Sequence, residues 1–170
     1  MIFSSTILRA AVLFAMGISA TMPLASLLWP AQSGATNQET QPVPWTSAQV
    51  IHPADLVHEL GASEKAGASV IVYVGFRTLF EGGHIPHAVF HGTASKADGL
   101  ADLRKWATPL PRSTNLTIYC GCCPFDRCPN IRPAYSALHE MGFTHLRVLM
   151  LPASFAADWV EKGYPMQKGL

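Results

Sequence analysis

Short runs of apolar and β-branched residues alternate along this chain with segments of helical periodicity, and this alternation restricts the fold more than any other feature. Residues 69–74 and 116–120 are continuous runs of strand length. Runs without polar alternation are typical of strands that are buried on both faces of a parallel sheet. We therefore expect an α/β domain with a central parallel sheet flanked by helices.

The other elements follow from helix-end residues and periodicity. Pro53 suits a first helical turn, and Gly61, Gly142 and Gly163 are positioned to end helices. The predicted elements are a helix at 52–60, strands at 69–74 and 88–91, a helix at 95–107, a strand at 116–120, a helix at 134–141, a strand at 145–149 and a helix at 154–161. Together they predict a single domain over residues 49–168.

The N-terminal segment is predicted to lie outside this domain. Arg9 precedes an apolar stretch at 10–29, and small residues allow cleavage after Ala35, so residues 1–35 are interpreted as a signal peptide for export. The protein would then be periplasmic or otherwise extracytoplasmic. The alternative is an uncleaved membrane anchor, because the stretch approaches the roughly 20 residues that span a bilayer. Residues 36–48 are predicted to be a linker.

The charge of the chain argues against one class of function. Twelve Lys and Arg residues nearly balance eleven Asp and Glu residues, which gives a net charge of +1. A protein that binds nucleic acid concentrates positive charge against the phosphates. We therefore expect no nucleic-acid partner, and membrane contact only through the N-terminal segment if it is not cleaved.

All four cysteines lie close together, at Cys120, Cys122, Cys123 and Cys128. Disulfides among them would close very small loops and could not join distant parts of the fold. The cluster is therefore interpreted as a chemical site. Cys120 ends a predicted strand and precedes a helix, at the edge of the sheet where helix N–H groups point. That environment favours the thiolate, which is the reactive form of cysteine.

The segment between Cys120 and the next helix is rich in proline and is predicted to be a loop that ends near residues 130–132. Arg127 and Arg132 would strengthen the positive potential around the thiolate. Gly121 and Asp126 are predicted to belong to the loop that cradles the sulfur. Asp126 is either the partner of Arg127 in an exposed ion pair, which is the simpler role, or a general acid.

Several segments, in the right order, resemble rhodanese-like (sulfurtransferase) domains over roughly residues 49–168. Residues 83–88, Gly-His-Ile-Pro-His-Ala, resemble the family signature Gly-His-Ile-Pro-Gly-Ala. Residues 118–120 resemble the strand that delivers the sulfur-carrying cysteine, and residues 159–165 resemble the usual C-terminal motif. The chain differs at residues 73–75, where Tyr-Val-Gly replaces the usual Asp-Val-Arg.

The resemblance implies a rhodanese-like fold and sulfur transfer through a persulfide on Cys120, with Arg127 in the active-site loop. The Cys120 thiolate would take sulfur from thiosulfate or another sulfane-sulfur donor and pass it to a thiol or other thiophilic acceptor. No cofactor and no metal ion are expected. Cys122, Cys123 and Cys128 are candidate resolving thiols, and Arg132 is a candidate auxiliary residue.

Two other functions remain open from the sequence. Four thiolates suit a soft ion such as Zn²⁺ or Cu(I), although adjacent Cys122 and Cys123 would have difficulty both pointing inward. Alternatively, the domain is a catalytically silent binding module in which disulfides stiffen the cysteine loop. His84 is expected to make a structural hydrogen bond in its turn.

Overall fold

The computed structural model describes residues 42–62 and 69–170 of the chain. In chain order its elements are β1 (Val50–Ile51), α1 (Pro53–Gly61), β2 (Val70–Tyr73), α2 (Arg77–Gly82), β3 (Val89–Phe90), α3 (Ala97–Ala107), β4 (Leu116–Tyr119), α4 (Ile131–Glu140) and β5 (Leu146–Leu149). Short 3-10 turns occur at Ser47–Gln49 and Phe125–Arg127, and one π-helical turn occurs at Ala156–Val160.

The five strands form one sheet in the order β1-β5-β4-β2-β3, and every neighbouring pair is parallel. The predicted α/β fold with a central parallel sheet flanked by helices is therefore confirmed. The sheet is covered on both faces, which explains why its strands are continuous apolar runs. Val72 and Ile118 pack with α3 and α4 on one face, and Ile71 and Tyr119 pack with α1 and α2 on the other.

Two short elements were not predicted from the sequence. β1 pairs only with β5, at the edge of the sheet. It has two residues, which are too few to show a pattern of apolar residues. α2 has six residues, and Gly82 and Gly83 at its end have no side chains that could contribute to an apolar helical period.

Two helix boundaries also differ from the sequence prediction. α4 begins at Ile131, before the predicted start, because Pro133 lies in the first turn, where its missing N–H has no helical acceptor. The predicted helix at 154–161 is reduced to a π-helical turn. There the carboxylate of Asp158 accepts the backbone N–H groups of Ala153 and Ser154 at 2.7 and 2.9 Å.

Packing against the domain begins inside the segment that was interpreted as a linker. Trp45 is only 8% exposed and contacts the rings of Phe125 and Tyr135. Residues 36–41 of the linker and the whole predicted signal peptide, residues 1–35, lie outside the described residues, so export stays a prediction. Within the described ranges, no helix is both long enough and apolar enough to cross a membrane.

The chain changes direction across the sheet between β2 and β4. The connection after β2 leads outward to β3, whereas the connection after β4 leads the opposite way to β5. In open parallel sheets, such a switch point leaves a crevice at the carboxyl ends of the strands, where ligands bind. Gly75 follows β2 and Cys120 follows β4, so both lie at this crevice.

Candidate functional site

Cys120 lies at the crevice between β2 and β4 and is only 2% exposed. An ideal Cβ placed on Gly75 would lie 2.8 Å from the sulfur of Cys120. A side chain at position 75 would therefore collide with this thiol. This contact gives a physical reason why the chain has glycine where rhodanese-like domains usually have arginine.

Three sulfur atoms gather at this point. The Sγ atoms of Cys120, Cys122 and Cys128 all lie within 4.8 Å of one another. Cys120 Sγ is 3.1 Å from Cys122 Sγ, which in turn is 3.2 Å from the sulfur of Cys123. All four residues are free cysteines. The sequence prediction that the four cysteines form one site agrees with this arrangement, although Cys123 lies at its margin.

Asn130, which the sequence analysis did not identify, joins the sulfur cluster to the rest of the domain. Its side chain is fully buried, and its Nδ2 donates to Cys120 Sγ at 3.3 Å. Its Oδ1 accepts the backbone N–H of Ser95 at 3.0 Å. Asn130 is the N-cap residue of α4, yet its side chain does not cap the helix. The amide is instead oriented by Ser95 toward the sulfurs.

The start of α4 stabilises negative charge on Cys128. Hydrogen bonding with the Cys120 side chain and with the backbone N–H groups of Asn130 and Ile131 stabilises this sulfur as an anion. Together these donors lower the pKa of Cys128 to about 6, against the opposing effect of burial. The pKa of Cys128 thus lies below that of an ordinary thiol, which favours its thiolate.

Cys120 has the opposite electrostatic character. Its pKa is raised, first by its hydrogen bond with Cys128 and second by burial, although the backbone N–H of Cys122 opposes this. This direction is opposite to the expectation that Cys120 itself faces the helix N–H groups and holds the lowered pKa. The physical reason is that the loop returns Cys128, not Cys120, to the first turn of α4.

The surroundings of the cluster are poorly solvated. Burial raises the pKa of Cys123 to about 12, and it also raises the pKa of Tyr73 and of Tyr119. The hydroxyl of Tyr119 accepts the backbone N–H of Ile85 at 3.0 Å. These groups remain neutral at physiological pH, so they contribute packing and polarity to the site and no charge.

The loop residues that were predicted to surround the thiolate have different positions. Gly121 adopts a φ of 75° beside Cys120, in the left-handed region that favours glycine. Asp126 and Arg127 are exposed in the 3-10 turn, whereas Arg132 is half-buried in the first turn of α4. The roles predicted for Arg127 and Arg132 stay predictions.

The Gly-His-Ile-Pro turn supports the fold near the crevice. His84 is buried, and its Nδ1 donates to the carbonyl oxygen of Phe80 at 2.8 Å. Its backbone also pairs with Gln167 near the C-terminus. The predicted structural role of His84 is confirmed.

The same sulfur atoms are the strongest candidates for holding a metal ion in the described part of the chain. Cys120, Cys122 and Cys128 each offer one sulfur within a common distance of 4.8 Å. Thiolate sulfur is the preferred donor for Cu(I) and Zn²⁺. The arrangement can therefore support either sulfur chemistry or soft-metal binding.

Comparison by sequence gives no match: no protein-family model matches the chain, and no curated protein is significantly similar to it.

Comparison by structure gives matches to solved domains. The solution structure of the rhodanese-like domain of the Alr3790 protein from Anabaena is 23% identical, with a TM-score of 0.51, over 71% of this chain and 79% of that chain. A crystal structure of the Alr3790 protein is 21% identical, with a TM-score of 0.52, over 71% and 93%. The BH2092 protein from Bacillus halodurans is 18% identical, with a TM-score of 0.54, over 69% and 75%. The chain has the rhodanese-like fold that the resemblance implied.

Proposed function

We propose that this protein is a sulfurtransferase that carries sulfane sulfur as a persulfide on Cys120. The observation that supports this most strongly is the gathering of three thiols within 4.8 Å of one another at the switch point of a rhodanese-like sheet. A thiol that is buried beside a thiolate has both the nucleophilic atom and the base that persulfide formation needs.

The pair formed by Cys120 and Cys128 divides these two roles. The lowered pKa of Cys128 favours its thiolate, and its sulfur lies within 4.8 Å of that of Cys120. Transfer of the Cys120 thiol proton to Cys128 is uphill, because the pKa of Cys120 is raised and that of Cys128 is lowered, and attack on the donor then consumes the small population of Cys120 thiolate. With thiosulfate, Cys120 bonds to the outer sulfur, the bond between the two thiosulfate sulfurs breaks, and sulfite leaves with the electron pair.

Two hydrogen-bond donors stabilise the charge that develops around Cys120. The Nδ2 group of Asn130 lies 3.3 Å from its sulfur, and the backbone N–H of Cys122 also donates to it. Both donors are oriented before the reaction by fixed backbone or by the hydrogen bond to Ser95. Donors that are oriented in advance in a poorly hydrated site are effective in stabilising anionic intermediates.

The acceptor is a thiol or another thiophile that attacks the outer sulfur of the persulfide. Cys122 is an internal candidate for the same step, because its sulfur is 3.1 Å from that of Cys120. If its thiolate attacks the inner sulfur instead, a Cys120–Cys122 disulfide forms and hydrosulfide leaves. Cys122 is thus well placed to act as one of the predicted resolving thiols.

Turnover of thiosulfate with cyanide, measured as thiocyanate, tests the proposal on reduced, metal-free protein. We expect the wild type to turn over and the Cys120→Ser variant to be inactive, because a serine hydroxyl does not form a persulfide. Cys123→Ser is the matched control, since Cys123 lies outside the group of three close sulfurs. Full turnover by Cys120→Ser would contradict the proposal.

Soft-metal binding is a second candidate function, favoured by the same three sulfur atoms. Three thiolates, without a fourth protein ligand, suit Cu(I) or a zinc ion that keeps an open position. Competition for Cu(I) and for Zn²⁺ against a chelator of known affinity tests it. Tight binding that is lost in both Cys122→Ser and Cys128→Ser, together with absent turnover, would favour this function over sulfur transfer.

A further inference from the structure

A cavity of about 470 Å³ opens beside the cysteine loop. It is formed by α2, by the residues after β4, by the π-helical turn and by the C-terminal segment. Cavities that hold small organic ligands have volumes of roughly 300–1,000 Å³. Thiosulfate needs only the space of a few water molecules, at about 30 Å³ each. The cavity is therefore much larger than an inorganic sulfur donor requires.

The wall of the cavity is mainly apolar. Leu79, Phe155, Val160 and Met166 all contribute to it. Leu79, Val160 and Met166 remain 48%, 40% and 38% exposed, although large apolar side chains gain free energy when they are covered. Such a wall matches a ligand with an apolar body.

One charged side chain, Lys168, lines this cavity in the described part of the chain. No carboxylate among the described lining residues accompanies it. A cation at the edge of an apolar cavity favours a ligand that carries a negative group. The positive charge and the apolar wall together favour a ligand that has an apolar body and an anionic end.

Cys122 connects this cavity to the buried thiols. Its side chain is half-buried and lines the cavity, whereas Cys120 is 2% exposed and is not part of the lining. The two sulfurs are 3.1 Å apart. Sulfur that arrives in the cavity therefore meets Cys122 before Cys120.

We infer that the cavity binds a low-molecular-weight organic sulfur donor with an apolar body and an anionic group, and that Cys122 receives its sulfane sulfur. This inference rests on the proposed sulfurtransferase function and names the class of its substrate. Cys122 passes its thiol proton to a thiolate within the cluster, its sulfur bonds to the outer sulfur of the donor, and the bond between that outer sulfur and the rest of the donor breaks. The organic part leaves with the electron pair.

The next step returns the sulfur to the proposed carrier. The Cys120 thiolate attacks the outer sulfur of the Cys122 persulfide, the original sulfur–sulfur bond breaks, and Cys122 leaves as a thiolate. The proton from Cys120 remains within the cluster, so atoms and charge balance.

Two thiosulfonates that differ only in their apolar body test the inference. Benzenethiosulfonate and methanethiosulfonate have the same reacting sulfur and the same charge. In both, the leaving group is a sulfinate. The readout is the ratio of kcat/KM for the phenyl donor to kcat/KM for the methyl donor. A ratio compares two substrates on one protein, so it is insensitive to the fraction of each variant that is folded.

Gly82→Leu is the test variant, and Gly61→Leu is its control. Gly82 lines the cavity, and a Cβ built on it has no neighbour within 4 Å, so the new side chain enters open space at the cavity. Gly61 also ends a helix, is exposed and has no neighbour within 4 Å of its Cβ, but it does not line the cavity.

We expect Gly82→Leu to lower the ratio by about tenfold or more, the size of effect that small changes in an apolar pocket produce. Gly61→Leu should leave the ratio unchanged. An unchanged ratio in Gly82→Leu, or an equal fall in both variants, would overturn the inference. Thiosulfate turnover that exceeds benzenethiosulfonate turnover in the wild type would also overturn it.

Lys168→Gln tests the charge, with exposed Lys162→Gln as its control. We expect Lys168→Gln to raise KM for both thiosulfonates and Lys162→Gln to have no such effect. Equal KM values in both variants would exclude Lys168 as the anion-binding residue and would overturn the anionic part of the inference.

A binding measurement separates failure of the inference from failure of the proposed function. Benzenesulfinate, which carries no transferable sulfur, should protect Cys122 from alkylation in the wild type and not in Gly82→Leu. Protection without persulfide formation from any donor would overturn the sulfurtransferase proposal and support the cavity as a binding site for organic anions. Persulfide formation without protection would overturn the inference alone.

Discussion

Substitution of Asn130 gives the most informative test of how the sulfur cluster is held. In Asn130→Ala, the Ser95 N–H loses its acceptor at 3.0 Å, and Cys120 loses its Nδ2 donor at 3.3 Å. A neutral hydrogen bond contributes about 1 kcal/mol, and a buried polar group left without a partner costs about 1–3 kcal/mol. Asn130 is fully buried. We expect the free energy of unfolding to fall by roughly 2–3 kcal/mol.

Asn130→Asp separates the two contacts. The new carboxyl retains an acceptor for Ser95, but it places an oxygen where Nδ2 faces Cys120. The pKa of Cys128 is lowered to about 6, so the sulfur cluster carries negative charge at neutral pH. A carboxylate at position 130 would face this charge. Two like charges about 4 Å apart repel by about 4 kcal/mol at an effective dielectric constant of about 20. This loss should exceed that of Asn130→Ala.

The sign of the pH dependence distinguishes this account from a simple packing defect. Repulsion raises the pKa of the new carboxyl above its value in the unfolded chain, about 3.9. Its destabilising effect is therefore present at neutral pH and disappears as the pH falls toward about 4. Urea unfolding of reduced, metal-free protein, carried out at neutral pH and at about pH 5, measures the effect. An Asn130→Asp variant that is as stable as the wild type, or whose loss of stability does not depend on pH, would contradict repulsion between the carboxylate and the sulfur cluster.

Two further predictions concern the thiolate and the loop. The rate of persulfide formation should rise as the pH passes through about 6 and then level off, because Cys128 must be a thiolate to accept the proton of Cys120. A rate that continues to rise toward the ordinary cysteine pKa of about 8.5 would argue against this role. Gly121→Ala should destabilise the fold by about 2 kcal/mol or more, because the residue has a φ of 75° and its Cβ would lie 2.6 Å from that of Phe155. Gly163→Ala, with a φ of 71° and no neighbour within 4 Å, is the control and should lose less stability in urea unfolding.

The sheet could be predicted from the sequence because its central strands are apolar on both faces. The runs at 69–74 and 116–120 became β2 and β4, and Cys120 follows β4 as expected. β1 and α2 were missed because two and six residues are too few to display a period. Trp45 was assigned to a linker because nothing in the surrounding polar segment indicates that it packs against Tyr135.

The organisation of the site was harder to predict than its location. The proximity of four cysteines in the sequence indicated a site, but the path of the loop decides which sulfur meets the first turn of α4. That residue is Cys128, which the sequence identifies only as a candidate resolving thiol. Asn130 carried an available signal, since asparagine before a helix is typical of an N-cap. Its contacts with Ser95 and Cys120 depend on tertiary packing, which no local pattern contains.

The most direct test of the account is the mass of the reduced, metal-free protein before and after treatment with thiosulfate, with Cys120→Ser alongside. We predict a gain of one sulfur atom, about 32 Da, in the wild type, located at Cys120 by peptide mapping, and no stable gain in the variant. A sulfur located only on Cys128 would contradict the assignment of base and nucleophile. No gain with any sulfane-sulfur donor would contradict sulfur transfer itself.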